Sequence, residues 1–461
     1  MRLEDIDWVG FDMDYTLAVY HQHEMDRLSI EATIDKLIGR GYPETLRAME
    51  YRTDFPIRGL LVDRELGNVL KIDRYKYAKV AYHGMRMLTR DERRAAYHRR
   101  RLDPASERFH WVDTLYALPE VTVYAAAVEL LDRELEKPDY AMLFNDVREC
   151  IDASHQDGSI LDRILEEPAR YVWRDPKLGA TLHQLRSSGK KLFLLTNSHP
   201  PYTDAMMRFL LEGESDAPSR SKYSSWRKYF DIVGMAARKP RFFTHRDPVQ
   251  RHPLGLVGGH IDALQELLDT TPDRVLYVGD HIYGDVLRAK KHTAWRTMMI
   301  IQEMNDELDA HQDVDVSLQR LDLLDEQRAL LIDDLRDLKR AHKELLKQNG
   351  HGSNGSNGSA VAAEAERARQ RRAIDRLRAR IKATEAEYEL LEQSVSARFH
   401  PYWGSLFKAG PETSSFGHQV ETYAGLYTSR VSNLLHYSPA HYFQSPRDRM
   451  PHEMLYVHRE I

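Results

Sequence analysis

Trp8-Val9-Gly10-Phe11-Asp12-Met13-Asp14-Tyr15-Thr16-Leu17-Ala18 reads as a short apolar strand that runs into a turn and delivers two aspartates, one residue apart. Side chains two apart on a strand point the same way. At the strand's end the backbone turns, so one carboxylate can face a phosphorus while the other faces its leaving oxygen. In that reading Asp12 attacks and Asp14 handles the proton. The alternative is a polar strand exit, because Asp and Thr commonly mark the end of an apolar run. The stretch alone leaves both open.

Three later segments bear on the choice. Lys191-Leu192-Phe193-Leu194-Leu195-Thr196-Asn197-Ser198 is an apolar run of strand length that ends in hydroxyl and amide donors able to bind phosphate oxygens. In Ala236-Ala237-Arg238-Lys239-Pro240, a lysine follows the apolar run Ile232-Val233-Gly234-Met235 and can neutralise nucleophile and phosphate as a point charge. A solvated surface lysine is the other reading. Val275-Leu276-Tyr277-Val278-Gly279-Asp280-His281-Ile282-Tyr283-Gly284-Asp285 is a buried-type strand in which Gly279 permits a tight turn before two acids, Asp280 and Asp285, suited to magnesium or its support. Four strand ends bearing acid, hydroxyl, lysine and acid in this order are hard to produce as surface decoration.

The order of these motifs resembles the haloacid dehalogenase superfamily of aspartyl-phosphate hydrolases. FDMDYTLA, LLTNS, ARKPRFF and YVGDHIYGD are closer still to the cytosolic purine 5′-nucleotidase family, enzymes that hydrolyse IMP and GMP. Agreement extends to Phe55-Pro56-Ile57-Arg58-Gly59-Leu60, to Gly67-Asn68-Val69-Leu70-Lys71-Ile72-Asp73 and to Trp403-Gly404-Ser405-Leu406-Phe407, and leaves out chiefly residues 315 to 397. The resemblance implies a Rossmann-like α/β parallel-sheet hydrolase core with an inserted, mainly helical cap. Mg2+ would be held by Asp12, Asp280 and the backbone carbonyl of Asp14, a set that suits a hard, oxygen-seeking cation. Asp285 would act from behind it, and Thr196, Asn197, Ser198 and Lys239 would hold the phosphate. The substrate would be a nucleoside monophosphate and the assembly a homo-oligomer, dimer or tetramer.

The same resemblance names base-binding positions. Tyr116 aligns with the family's stacking aromatic residue, and Arg148, Asp152 and His155 with its purine-reading residues. Arg148 and Asp152, four apart, share a helix face, so an ordinary intrahelical ion pair is the competing reading. Ala117 replaces the asparagine expected beside the stacking ring, and Leu161 stands where a lysine is expected. Tyr283 and Lys291 align with an effector site, or are surface residues at a helix start.

Organisation follows from length and pattern. At 461 residues the chain exceeds what one core supports. The roughly 180 residues between the first two motifs are far more than a crossover needs, which places a separate insertion there. We expect residues 1–75 and 168–310 to form the core and 76–167 the cap. Residues 311–398 read as an antiparallel helical hairpin, with Leu331, Leu335, Leu338 and Leu345 on one arm and Ile374, Ile381, Tyr388 and Val395 repeating every seven on the other. Asn349 to Ser359, rich in Gly, Ser and Asn, reads as a flexible tip. Residues 399–461 are expected to pack back on the core.

Composition adds exclusions. With 66 basic and 71 acidic residues, net charge −5, there is no overall nucleic-acid signal. The one cysteine, Cys150, excludes an intrachain disulfide and a cysteine zinc site. With no apolar leader before Trp8 and no membrane-length apolar run, a cytoplasmic enzyme is expected. Three functions fit: a magnesium-dependent purine 5′-nucleotidase, with transfer of the phosphoryl group to a nucleoside as a variant; the same chemistry on a sugar phosphate or pyrimidine nucleotide; or a scaffold that uses the hairpin and keeps a vestigial core.

Overall fold

Strand Trp8–Phe11 is buried along its whole length, as are Leu192–Leu195 and Val275–Gly279 on either side of it. All three pair in parallel, with Phe11 opposite both Leu194 and Val278. Continuous apolar runs of this kind are what a strand covered on both faces requires. The sheet has eight strands, in the order Val249–His252, Gly255–Gly258, Ile232–Met235, Lys191–Leu195, Trp8–Phe11, Val275–Gly279, Arg296–Ile300 and Leu426–Thr428. Only the edge strand Val249–His252 runs antiparallel to its neighbour. From Trp8–Phe11 the later strands are laid down in both directions, which makes its C-terminal end the switch point where open α/β sheets bind ligands. In this computed structural model the described residues are all except 99–100, 135–137, 213–222, 349–356, 446–449, 451–452 and 454–461. They form two compact units, residues 1–304 with 413–461, and residues 305–412.

The insertion leaves and re-enters the core at one place. Val19–Tyr20 pairs antiparallel with Val172–Trp173, so residues 21–171 hang from a two-stranded neck. Within them lies a five-stranded antiparallel sheet, ordered Arg86–Met87, Ala78–His83, Asn68–Ile72, Leu60–Asp63 and Phe109–Val112. The division expected at residues 75/76 falls inside this sheet, between two paired strands. The Asp73 carboxylate accepts the backbone N–H groups of Tyr75 and Tyr77 at 2.9 and 3.0 Å and closes that hairpin turn. Helix Gln22–Gly39, expected with the core, packs instead on helices Leu118–Glu134 and Tyr140–Gln156. The insertion is therefore a mixed sheet-and-helix body that begins directly after the nucleophile turn.

In the second unit, helices Met304–Gln348 and Asn357–Phe399 run antiparallel. Arg320 pairs with Glu387 at 2.6 Å, His342 bonds Gln370 at 3.0 Å and Arg398 pairs with Asp313. Val314, Leu321 and Val395 are buried between the arms, with Leu318, Tyr388, Leu391 and Phe399 packed against them. Of the expected tip, residues 349–356 lie outside the described residues, and Asn357–Ser359 open the second helix. Of residues 399–461, Leu426–Thr428 joins the core sheet beside Arg296–Ile300, residues 399–412 belong to the second unit, and most residues after 445 lie outside the described residues. No helix among the described residues is long and apolar enough to cross a membrane.

Candidate active site

Because neighbouring strands are in register, Asp12, Thr196 and Asp280 leave the sheet at the same edge. Lys239 reaches it from the loop after Ile232–Met235. Its Nζ lies 2.9 Å from Asp12 Oδ1 and 2.6 Å from Asp285 Oδ1, and donates to the Tyr277 hydroxyl at 2.8 Å. Burial works to lower the Lys239 pKa, but Asp12 and Asp285 outweigh it and hold the ammonium charged. The loop is fixed by Asn197, whose side chain accepts from the Lys239 N–H at 2.6 Å and donates to the Lys239 carbonyl at 3.0 Å. Tyr15, Ala236 and Arg238 have positive φ of 55°, 47° and 58°. Such non-glycine conformations cost about 1–3 kcal/mol each and persist where surrounding contacts impose them, often at active sites.

Asp12 accepts from the Met13 N–H at 2.8 Å, again through Oδ1. Asp14 is held at both oxygens, by the Tyr20 hydroxyl at 2.6 Å on Oδ1 and the Ser198 hydroxyl at 2.6 Å on Oδ2. Asn197 and Ser198, expected on the phosphate, thus engage the Lys239 loop and Asp14. Thr196 is fully buried, and its hydroxyl accepts the Ser198 N–H at 3.0 Å. Burial pushes the Asp12 carboxyl up to about 8 against the pull of Lys239, with Asp285 and Asp14 adding to the rise. Burial likewise raises Asp14 and Asp280 above the usual carboxylate range.

Asp12, Asp280 and Asp285 place carboxylate oxygens within 4.8 Å of one another. Asp280 Oδ2 is buried with no hydrogen-bond partner among the described residues. An orphaned carboxylate oxygen in a buried acidic cluster fits a cation, and an all-oxygen donor set fits Mg2+. Asp285 is already engaged by Lys239, and its Oδ2 accepts the His281 N–H at 3.3 Å. A wide π-helical turn over Ile282–Leu287 carries it there. The Asp280 loop is braced by Arg58, which is fully buried. Arg58 donates to the Asp280 carbonyl at 2.9 Å and forks onto Glu303 at 2.8 and 2.5 Å. Arg58 and Tyr277 carry no assigned role in the sequence reading. Their signal was a polar tip inside an otherwise apolar run, FPIRGL and VLYVG.

On the insertion, the Tyr116 ring lies 4.1 Å from that of His155, and burial, with the charges of Asp152 and Asp14 adding to it, holds the Tyr116 hydroxyl well above the usual tyrosine range. Arg148 makes no ion pair with Asp152 among the described residues; its Nη1 lies 2.7 Å from His110 Nε2. Glu120, singled out by nothing in the sequence, is buried beside them. Its Oε1 lacks a hydrogen-bond partner among the described residues, and burial pushes its pKa up to about 7 against the pull of Arg148. Tyr283 and Lys291 are not brought together. The Arg288 guanidinium covers the Tyr283 ring at 4.5 Å, while Lys291 lies over Tyr423 at 5.9 Å.

A buried aspartate at the switch point of a parallel sheet, flanked by a second aspartate, a lysine and an acidic cation cradle, defines a phosphomonoester hydrolase. The sequence matches the 5′ nucleotidase family over residues 1–254 and 255–455, and the chain belongs to that family. It is 28% identical over 477 aligned positions to a 5′-nucleotidase domain-containing protein of Dictyostelium discoideum, covering 98% of this chain and 73% of that one. Among solved structures, CbbY from Rhodobacter sphaeroides in complex with phosphate is 15% identical, covering 64% of this chain and 86% of that one with a TM-score of 0.26. L-2-haloacid dehalogenase from Xanthobacter autotrophicus is 14% identical, covering 64% and 78% with a TM-score of 0.22. At such scores these two likenesses carry no weight, and the fold stands on its own strand pairing. Nucleotide phosphatase chemistry follows from the family and replaces the reading of a vestigial scaffold.

Proposed function

We propose that this chain is a magnesium-dependent 5′-nucleotidase that hydrolyses purine nucleoside 5′-monophosphates, IMP and GMP foremost, through an aspartyl-phosphate. The observation that carries it is the juxtaposition of Asp12, gripped at one oxygen by Lys239, with Asp14, Asp280 and Asp285. Asp12 forms a bond to phosphorus as the P–O5′ bond breaks, and Asp14 gives its proton to the departing oxygen. Asp14 then takes a proton from the attacking water, and the bond from Asp12 to phosphorus breaks to release phosphate. Lys239 stabilises the charge that spreads over the phosphoryl oxygens. Asp12, Asp280 and the Asp14 carbonyl would hold Mg2+, which when bound would supply charge neutralisation between the carboxylates and a dianionic phosphate. Tyr116 stacks on the base, and Arg148 and Asp152, unpaired with each other, read its edge. A nucleoside hydroxyl in place of water gives phosphotransfer.

Ala117 and Leu161, apolar where the base-reading pattern has asparagine and lysine, favour a second reading in which the same chemistry acts on a sugar phosphate or pyrimidine nucleotide. Phosphate release from a panel of nucleoside monophosphates and sugar phosphates with Mg2+ decides between the two. IMP and GMP lead under the first reading, while Asp12→Asn and a chelator both silence release. A panel led by sugar or pyrimidine phosphates would overturn the base assignment and leave the chemistry intact.

A further inference from the structure

We propose that Tyr20, braced by Tyr202, is the positioning residue that aims the Asp14 carboxyl at the leaving oxygen. The proposal rests on the reading of Asp14 as the proton donor. The Tyr20 hydroxyl donates to Asp14 Oδ1 at 2.6 Å and lies 2.9 Å from the hydroxyl of Tyr202, on helix Pro200–Leu211. A phenol has one hydrogen. Tyr20 directs its own at Asp14, so Tyr202 must donate to Tyr20, and the pair forms a directed chain ending on the acid. Both phenols are 6% exposed, and burial holds both well above the usual tyrosine range, so neither loses its proton near neutral pH.

Location gives this contact its meaning. Tyr20 is the last residue of the neck strand, paired with Val172 where the chain returns. Its ring packs 4.7 Å from that of Tyr15, in the nucleophile turn. The residue that carries the chain out to the insertion is therefore the one that orients the acid. Ser198 fixes the other oxygen of Asp14 from the core side, so the carboxyl is held between a core anchor and a neck anchor. A displacement of the neck strand moves one anchor and not the other, and turns the carboxyl away from the oxygen it must protonate. A general acid contributes about 10²–10⁴-fold only within hydrogen-bond reach of its target.

The discriminating experiment compares two leaving groups. An alkoxide from a nucleoside 5′-monophosphate needs the proton, whereas nitrophenolate from p-nitrophenyl phosphate departs nearly without it. The expected result is that Tyr20→Phe lowers kcat/KM for the nucleotide by about 30-fold or more and for p-nitrophenyl phosphate by less than about 3-fold. Tyr202→Phe shows the same asymmetry at smaller size, and carries the test if Tyr20→Phe fails to fold by its melting curve. Equal losses on both substrates, or none on the nucleotide, would overturn the proposal. A wild-type enzyme that turns over p-nitrophenyl phosphate and not nucleotides would sink the nucleotidase reading alone; an alkyl sugar phosphate would then replace the nucleotide in the same comparison. Inertness toward every phosphomonoester would overturn both.

Discussion

Lys239 makes three contacts, and the third is the least obvious. Asp12 and Asp285 both pair with its ammonium, and the Tyr277 hydroxyl, itself 3.2 Å from the Leu195 carbonyl, accepts from it as well. Removing one hydrogen bond to a charged group costs about 1.5–3 kcal/mol of stability, so Tyr277→Phe should lower the melting temperature as well as kcat/KM, the latter by about tenfold or more, measured by steady-state kinetics beside a melting curve. Asp26 offers a test on a residue given no catalytic role. Buried on helix Gln22–Gly39 with Gln22 as its partner at 2.7 Å, it is pushed up to about 8 by burial. Between its ordinary value of 3.8 and about 8 the folded protein holds a proton that the unfolded chain releases. Its contribution is therefore most favourable below pH 3.8, declines as pH rises, and levels off above about 8. Asp26→Asn keeps the acceptor and removes the titration, so the melting temperature of the variant minus that of the wild type should grow from pH 5 to pH 8. A constant difference would refute this account.

Among the elements, the strand ends and the presence of an insertion were legible, and the insertion's make-up and limits were not. Parallel core strands are buried on both faces, so they read as unbroken apolar runs, and a polar residue at the end of such a run has few roles except at the site. Asp12, Asp14, Lys239, Asp280 and Asp285 stood out for that reason. Asn197 and Ser198 were equally visible as donors; their contacts with the Lys239 loop and with Asp14 were not, because the sequence does not say which acceptors a donor meets. The packing of helix Gln22–Gly39 on helices Leu118–Glu134 and Tyr140–Gln156 was not legible, because a buried helical face does not name its partner. Gly279 was legible as necessary, though for close approach rather than for a special backbone angle. A Cβ there would stand 2.6 Å from the Asp285 side chain, which folds back under the strand end. Gly279→Ala should therefore displace Asp285, release its hold on Lys239 and lower kcat by about a hundredfold or more. Circular dichroism should remain native, and near-wild-type turnover would refute the packing argument.

At the scale of the whole molecule, the two compact units predict two events in calorimetry. The one containing residues 1–304 and 413–461 should shift upward by a few degrees when Mg2+ is added, since a ligand at a hundred times its Kd stabilises by about 2.7 kcal/mol. The transition of residues 305–412 should not move, and Asp280→Asn should abolish the shift; a Mg2+ effect that survives Asp280→Asn would place the cation elsewhere. The seams of the two long helices were readable from heptad spacing, but their partner arm was readable only because both lie in one chain. The paired neck has a different kind of consequence. Val19 faces Trp173 and Tyr20 faces Val172, so some 150 residues begin and end on neighbouring hydrogen-bonded positions. Joined directly, those two strands would make an ordinary hairpin. To the catalytic sheet the whole insertion is a loop, and descent with modification can exchange or remodel it without reopening the core. On the proposed reading the reaction draws on the strand ends and the base contacts on the insertion, so the two can be altered separately.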